Sequence, residues 1–183
     1  MDRSTDRRRG FTLAELLVVL AVMVILAAVI VPHAVRSADK ARIETAATAL
    51  QNISDAIKAF GNDVRELPGD LRHLVEPLSG GQRDCSGQPY SGAERNRWDG
   101  PYLDRLVPAT GLPVAIGTAL LPIVPDTSTN NARIQVANVL EEDAIALNDL
   151  VDGDGDRSSG TVRWTLPDTR GMVTLYYQTP HRC

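Results

Sequence analysis

From Leu16 to Val31 the chain runs through sixteen consecutive apolar residues, and counted from Phe11 the stretch is 21 residues long with Glu15 its only charge. At about 1.5 Å of rise per residue this is roughly 32 Å of helix, close to the ~30 Å hydrocarbon thickness of a bilayer. A core helix of a soluble protein is shorter and less uniform, so the pattern predicts a transmembrane helix over 11–32. Pro32 closes the run, lacks an N–H and crowds the carbonyl of Ala28, which predicts a kink there. No glycine falls between Phe11 and Phe60, and residues 33–60 are rich in Ala, Lys, Arg, Glu and Gln, so the helix is expected to continue. Ile43, Leu50, Ile57 and Val64 recur every seven residues, with Ala46, Ile53 and Phe60 between them, forming one apolar stripe. Such a stripe is either a coiled-coil seam or the face that anchors a globular head. Its shortness and alanine content favour the anchor. Gly61-Asn62 is the expected stop, giving an amphipathic helix over 33–61 and a head over 62–183.

The head reads as β-rich. Leu67-Pro68-Gly69-Asp70 is a turn with Asp70 as a candidate N-cap, and Leu71, Leu74, Val75 and Leu78 follow at helical spacing. Residues 79–97 read as a polar loop. Strands are predicted at Val114–Ile116, Ala119–Val124, Ile134–Val139, Thr161–Leu166 and Met172–Thr179. Val162, Trp164 and Leu166 alternate with polar residues, as do Val173, Leu175 and Tyr177, and Pro167 to Gly171 lies between as a turn, so the last two strands form an antiparallel hairpin. Glu141 to Val151 is a short helix or an extended connector. The expected fold class is α+β: a long N-terminal helix packed against a small antiparallel sheet.

Composition narrows the function. The net charge of −4 and the 4% aromatic content give neither a basic face nor stacking platforms for nucleic acid. Mean hydropathy is −0.12, an average of the apolar run with a polar remainder. Two cysteines and three scattered histidines provide no zinc ribbon. No Gly-x-Ser-x-Gly elbow, His-Glu-x-x-His or phosphate loop is present, so no enzyme is expected. The charge is uneven: residues 1–10, MDRSTDRRRG, carry +2 and leave −6 for residues 11–183, together the −4 of the whole. Arg7, Arg8 and Arg9 before the apolar run predict a cytoplasmic N-terminus, with the head on the far side of the membrane. A removable secretory signal would need small residues after the apolar core, and Val35-Arg36-Ser37 fits poorly.

A carboxylate within an apolar span is costly unless it has a partner or a task, and Glu15 stands five residues after Gly10. The string Arg9-Gly10-Phe11-Thr12-Leu13-Ala14-Glu15, followed by the apolar run, resembles the class III signal of type IV pilins and type II secretion pseudopilins. Trp98-Asp99-Gly100-Pro101-Tyr102-Leu103 is similar to a segment of major pseudopilins, although no second such block follows. The resemblance implies a leader over 1–10, cut between Gly10 and Phe11 by prepilin peptidase, and methylation of the new amine at Phe11. It implies a pilin-like fold, and a filament in which Glu15 pairs with the Phe11 amine of a neighbour and sets the register, with Phe11, Glu15 and Pro32 as assembly residues. Partners would be the peptidase, self and other pseudopilins, an inner-membrane assembly platform and lipid, with no nucleic acid. The expected role is a structural subunit of a type II secretion pseudopilus, anchored in the inner membrane with a periplasmic head. A type IV pilin or minor pilin is the alternative, and a signal-anchored periplasmic binding domain stands behind both.

Two further features bear on the head. Asp152, Asp154 and Asp156 alternate with glycines in an acidic loop of a kind that holds Ca2+. The loop is not an EF-hand: glycine stands at its fourth position and Arg163 at its twelfth. Some pseudopilins bind calcium in a head loop, which makes the three aspartates a candidate site; no other cofactor is expected. Cys85 and Cys183 would both face an oxidising compartment, where a bridge is favoured.

Overall fold

The computed structural model describes residues 12–183, apart from the side chains of residues 29–35. The chain forms two compact units, Met1–Lys40 and Ala41–Cys183. Helix α1, Leu13–Val64, runs through the boundary and is helical through Pro32.

In the first unit the large apolar side chains from Leu13 to Leu26 are all exposed, from 49% at Val19 to 76% at Leu13. Among the described residues no helix is long and apolar enough to cross a membrane. The described apolar side chains of this run end at Ala28, whereas the sequence run continues through Val31.

In the second unit α1 belongs to the core. Ile43, Ala46, Leu50, Ile53, Ile57, Phe60 and Val64 are at most 7% exposed and join the buried face of the sheet in one hydrophobic cluster. The heptad-spaced stripe is therefore the anchor of the head. The helix ends three residues later than Gly61-Asn62 suggested. Arg65, at φ 75°, closes it by donating its N–H to the Gly61 carbonyl (3.0 Å). Gly61 has a packing reason instead: a Cβ there would lie 2.7 Å from Leu67 Cδ2, where the chain turns back onto the helix. Arg42 donates to Asp143 (2.5 Å), tying this end of the helical face to α3 (Glu141–Val151).

Among the described residues the sheet has six antiparallel strands: β1 Leu112–Val114, β2 Gly117–Ala119, β3 Val124–Pro125, β4 Asn131–Leu140, β5 Val162–Trp164 and β6 Met172–Arg182. Their order is β1-β2-β4-β6-β5, with β3 also on β4. The predicted β5–β6 hairpin is present, with Val162 opposite Tyr177 and Trp164 opposite Leu175. The predicted strand at 119–124 is split into β2 and β3 by Pro122, which cannot donate to a ladder. β4 and β6 pair along most of their length through Ile134–Tyr177 and Val136–Leu175. A bulge follows, with Asn138 at φ 58°, so that Val139 is buried although it lies an odd number of residues from Val136.

The segments before the sheet were less legible. The predicted helix after Asp70 is a single 3-10 turn, Leu71–Leu74, capped by Asp70, which accepts from the Arg72 N–H (2.9 Å). Helix α2, Gly92–Asn96, lies in the stretch read as loop; its signal is the Ser91–Glu94 capping box. α3 takes the helical alternative.

The Trp98–Leu103 segment fastens the 3-10 turn to α1. Trp98 Nε1 donates to the His73 carbonyl (2.8 Å), and the Tyr102 N–H to the Leu74 carbonyl (2.7 Å). Phe60 receives Tyr90 and Tyr102 edge-on, with ring centroids 6.2 and 5.5 Å away. Tyr90 Oη donates to the Leu67 carbonyl and lies 3.2 Å from His73 Nδ1, which is left as the donor of that pair.

His73 is 4% exposed, and burial pushes its pKa from 6.5 down to about 4. The folded state therefore binds fewer protons than the unfolded one, so stability is full above pH 6.5 and falls as pH drops from there towards about 4. Melting curves at pH 7 and at about pH 4.5 should show a larger fall for the wild type than for His73→Gln. Equal falls would assign the acid sensitivity to another group.

Candidate functional sites on the N-terminal helix and the acidic loop

Gly10 and Phe11 lie outside the described residues. Immediately after them the helix starts on a reciprocal cap. The Glu15 N–H donates to Thr12 Oγ1 (3.2 Å), while the Thr12 N–H and hydroxyl donate to Glu15 Oε2 (both 3.0 Å). This is a Thr-x-x-Glu capping box, which satisfies orphan donors of the first turn. Its signal, Thr12 followed three residues later by Glu15 ahead of an apolar run, is present in the sequence. Glu15 thus has a task within its own chain. The side chain of Pro32 lies outside the described residues, and the helix is continuous through its position.

The acidic loop after α3 is built on left-handed glycines, Gly153 (φ 73°), Gly155 (φ 63°) and Gly160 (φ 78°), a conformation that side chains resist. The three predicted ligands each serve the loop itself. Asp152 accepts the N–H groups of Thr161 (3.0 Å) and Val162 (2.8 Å), closing the outer edge of β5. Trp164 on the same strand donates its N–H to the Arg157 carbonyl (3.1 Å). Asp154 accepts from the Asp156 N–H (3.0 Å). Asp156 accepts from the Ser158 hydroxyl (2.7 Å) and N–H (2.8 Å), which hold its carboxyl below the usual range. Among the described residues no group of three or more His, Cys, Asp or Glu is placed to hold a metal ion.

Beside the loop Asn148 is fully buried. Its Nδ2 donates to the Val162 carbonyl (3.1 Å) and to Asp152 Oδ2 (3.3 Å), while its Oδ1 has no hydrogen-bond partner among the described residues. A buried carbonyl oxygen without a partner is uncommon. Sequence reading did not single it out, because an asparagine in a helix has no distinguishing pattern.

Cys85 and Cys183 form a disulfide across 98 residues of chain, with Cα atoms 5.6 Å apart. Asn130 adds a second tie: its carbonyl accepts the Cys183 N–H (2.9 Å), and its Nδ2 donates to the Cys183 carbonyl (3.0 Å).

Asp126 is a further polar centre that the sequence reading missed. Its Oδ1 accepts from Ser128 and Thr129, through backbone and hydroxyl, and its Oδ2 accepts from Gln178 Nε2 (3.3 Å). The Ser128 hydroxyl heads the contacts that hold its carboxyl well below the usual carboxylate range. Its signal was the run Asp126-Thr127-Ser128-Thr129, a side-chain-to-backbone turn.

Residues 5–31 match a family described as "Prokaryotic N-terminal methylation motif". Over 77 residues the chain is 35% identical to type II secretion system core protein G of Escherichia coli (strain K12), a match covering 40% of this chain and 53% of that protein. The chain thus spans about half the length of that relative. No solved structure matches the chain.

The geometry of the loop separates its aspartates. Asp152→Ala leaves two backbone donors at the β5 edge unpaired and should cost about 1–3 kcal/mol in chemical denaturation. Asp154→Ala removes one exposed loop bond and should stay within about 0.5 kcal/mol. Equal losses would show that Asp152 does not close the edge.

Proposed function

We propose that this pseudopilin-like chain is a structural subunit of a type II secretion pseudopilus. The observation that carries the reading is the methylation-type segment at residues 5–31, within which a capped helix begins and exposes its apolar side chains. An apolar helix surface of this kind needs lipid or other helices around it. Prepilin peptidase removes residues 1–10 and the new amine at Phe11 is methylated. The apolar run over 11–32 holds the subunit in the inner membrane, with the head in the periplasm. Polymerisation with copies of itself and with other pseudopilins, on an inner-membrane platform, then moves the helices from lipid into a filament. The role is structural and not enzymatic. The similarity to core protein G favours this reading over a type IV pilin.

Glu15 then has two tasks, the cap within its own helix and a counter-charge for the Phe11 amine of a neighbour, and substitutions separate them. Glu15→Gln keeps an acceptor for Thr12 but removes the charge; Thr12→Ala breaks the cap but keeps the charge. If the charge sets the register, Glu15→Gln is cleaved and inserted yet forms no filament, while Thr12→Ala assembles. Normal assembly by a stably inserted Glu15→Gln protein would overturn the pairing. Gly10→Val should leave the precursor at full length, and mass spectrometry of the wild type should find a methylated Phe11. An intact Met1 start in the presence of the peptidase would overturn the processing.

A calcium ion in the acidic loop is a second element of the proposal and rests on the sequence pattern; among the described residues the three aspartates are not gathered into a ligand set, so an ion would have to draw them together. Asp152, Asp154 and Asp156 would supply the charge. Calcium added to chelator-treated protein at about 100 times its dissociation constant should stabilise it by about 2.7 kcal/mol. Identical melting curves with calcium and with chelator would remove the ion from the account.

A further inference from the structure

One flank of the head's core changes from apolar to polar. Along the inward row of β6, Val173 and Leu175 give way to Tyr177 and Thr179, and on α1 Ser54 follows Ile53. Thr179 is satisfied, because its hydroxyl donates to the Ala132 carbonyl (2.7 Å). Ser54 and Tyr177, 6% and 8% exposed, have no side-chain hydrogen bond among the described residues. Most hydroxyls this deep have one. Both line a groove of about 560 Å³, a volume in the range of ligand sites. Both hydroxyls keep a share of accessible surface, unlike Gln178 Oε1 nearby, which is sealed.

The charged residues in the lining are Asp55 of α1 and Arg163 of β5. Asp55 has no hydrogen bond or ion pair among the described residues. Arg163 Nε donates to the Gly160 carbonyl (3.0 Å), and its Nη1 lies 3.6 Å from Asp126 Oδ2, which Arg133 Nη1 approaches from β4, on the other side of β6, at 3.7 Å. The two arginines and two aspartates cancel, so the groove has no excess charge. Burial, then the charges of Asp152 and Asp55, push the Tyr177 phenol up, which keeps its proton in place as a donor.

We propose that this groove binds a neutral saccharide. A charged ligand would gain from one of Asp55 and Arg163 and lose against the other, whereas a neutral one meets no such conflict. Each sugar hydroxyl both donates and accepts, so it can donate to Asp55, which only accepts, and accept from Arg163, which only donates. The hydroxyls of Ser54 and Tyr177 can turn to either role. Val151 and Pro180, also in the lining, give the C–H face of a sugar ring apolar surface. A peptide fits less well. Tyr177 stands opposite both Ile134 and Val162, so β6 is paired on both sides here and offers no strand edge to a peptide main chain. The site lies on the head, so it stands whether or not the chain polymerises.

The test uses the full chain in micelles of a detergent without a sugar headgroup, read by saturation-transfer NMR with cellobiose and diacetylchitobiose. The wild type should bind at least one of these neutral disaccharides, and cellobiouronic acid no more tightly. Tyr177→Phe removes one hydroxyl and keeps the ring, and should weaken binding about three- to tenfold, the scale of one lost hydrogen bond. Its melting temperature without saccharide should be unchanged or higher, because no bond within the protein is lost. Asp55→Ala, at an exposed position, should also weaken binding while leaving the fold intact. A lowered melting temperature with unchanged saccharide binding in Tyr177→Phe would make that hydroxyl structural and overturn the site. Binding of neither disaccharide, or tighter binding of the uronic acid or of a Gly-Ser-Gly-Ser peptide, would overturn it as well.

Discussion

The structure of the head depends on one contact, the burial of the α1 stripe from Ile43 to Val64 against the inner face of the sheet. The sheet cannot shield that face alone, because its inward residues, Ile134, Val136, Leu175 and Val162 among them, are fully buried only within the shared cluster. The second half of α1 is equally dependent, since a helix within a protein draws most of its stability from the tertiary packing of its apolar face. The remaining devices hold this contact in place: Arg42 on Asp143 at one end, and Phe60 within its ring of tyrosines at the other. Asp143 is itself buried, so loss of Arg42 would cost more than a surface ion pair is worth.

Closure of the sheet is a separate requirement. β5 is a short edge strand, and unpaired strand edges invite association with other chains. Asp152 and the Arg157 carbonyl occupy its outward donors, so the acidic loop closes the edge in addition to any ion it holds. At the end of β6, Pro180 has no N–H to offer, which blunts that edge as well. The Cys85–Cys183 bridge and Asn130 then fix the last residue of β6's extension. For a chain whose proposed work is ordered assembly through its N-terminal helix, a head with covered edges confines association to intended surfaces.

The first turn of α1 joins the local and the collective demands on one residue. Thr12 and Glu15 satisfy each other's donors, so Glu15 is already held by Thr12 before any neighbour approaches. A counter-charge role would use a carboxylate that the capping box has already positioned. Economy of this kind follows from the apolar surroundings, where an unsatisfied donor and an unpaired charge are both costly.

The sequence by itself determined what depends on periodicity and on contiguous motifs. The apolar run, the methylation-type segment, the seven-residue stripe, the β5–β6 hairpin and the Asp70 cap are each encoded within a few turns of chain, where spacing alone assigns the face or the cap. Only the tertiary structure decided the rest. The stripe is an anchor and not a seam because the sheet's buried face, far away in sequence, meets it. Gly61 is helical because Leu67 returns onto it. The bulge at Asn138 turns Val139 inward, where strict alternation would point it out. Asp126, Arg133 and Arg163 carry no joint pattern, and they meet because β4, β5 and the loop before Asn131 converge across β6. Asn148 is distinguished only by what surrounds it. Each of these is a contact between residues distant in the chain, and local sequence holds no record of which distant partner a side chain will meet.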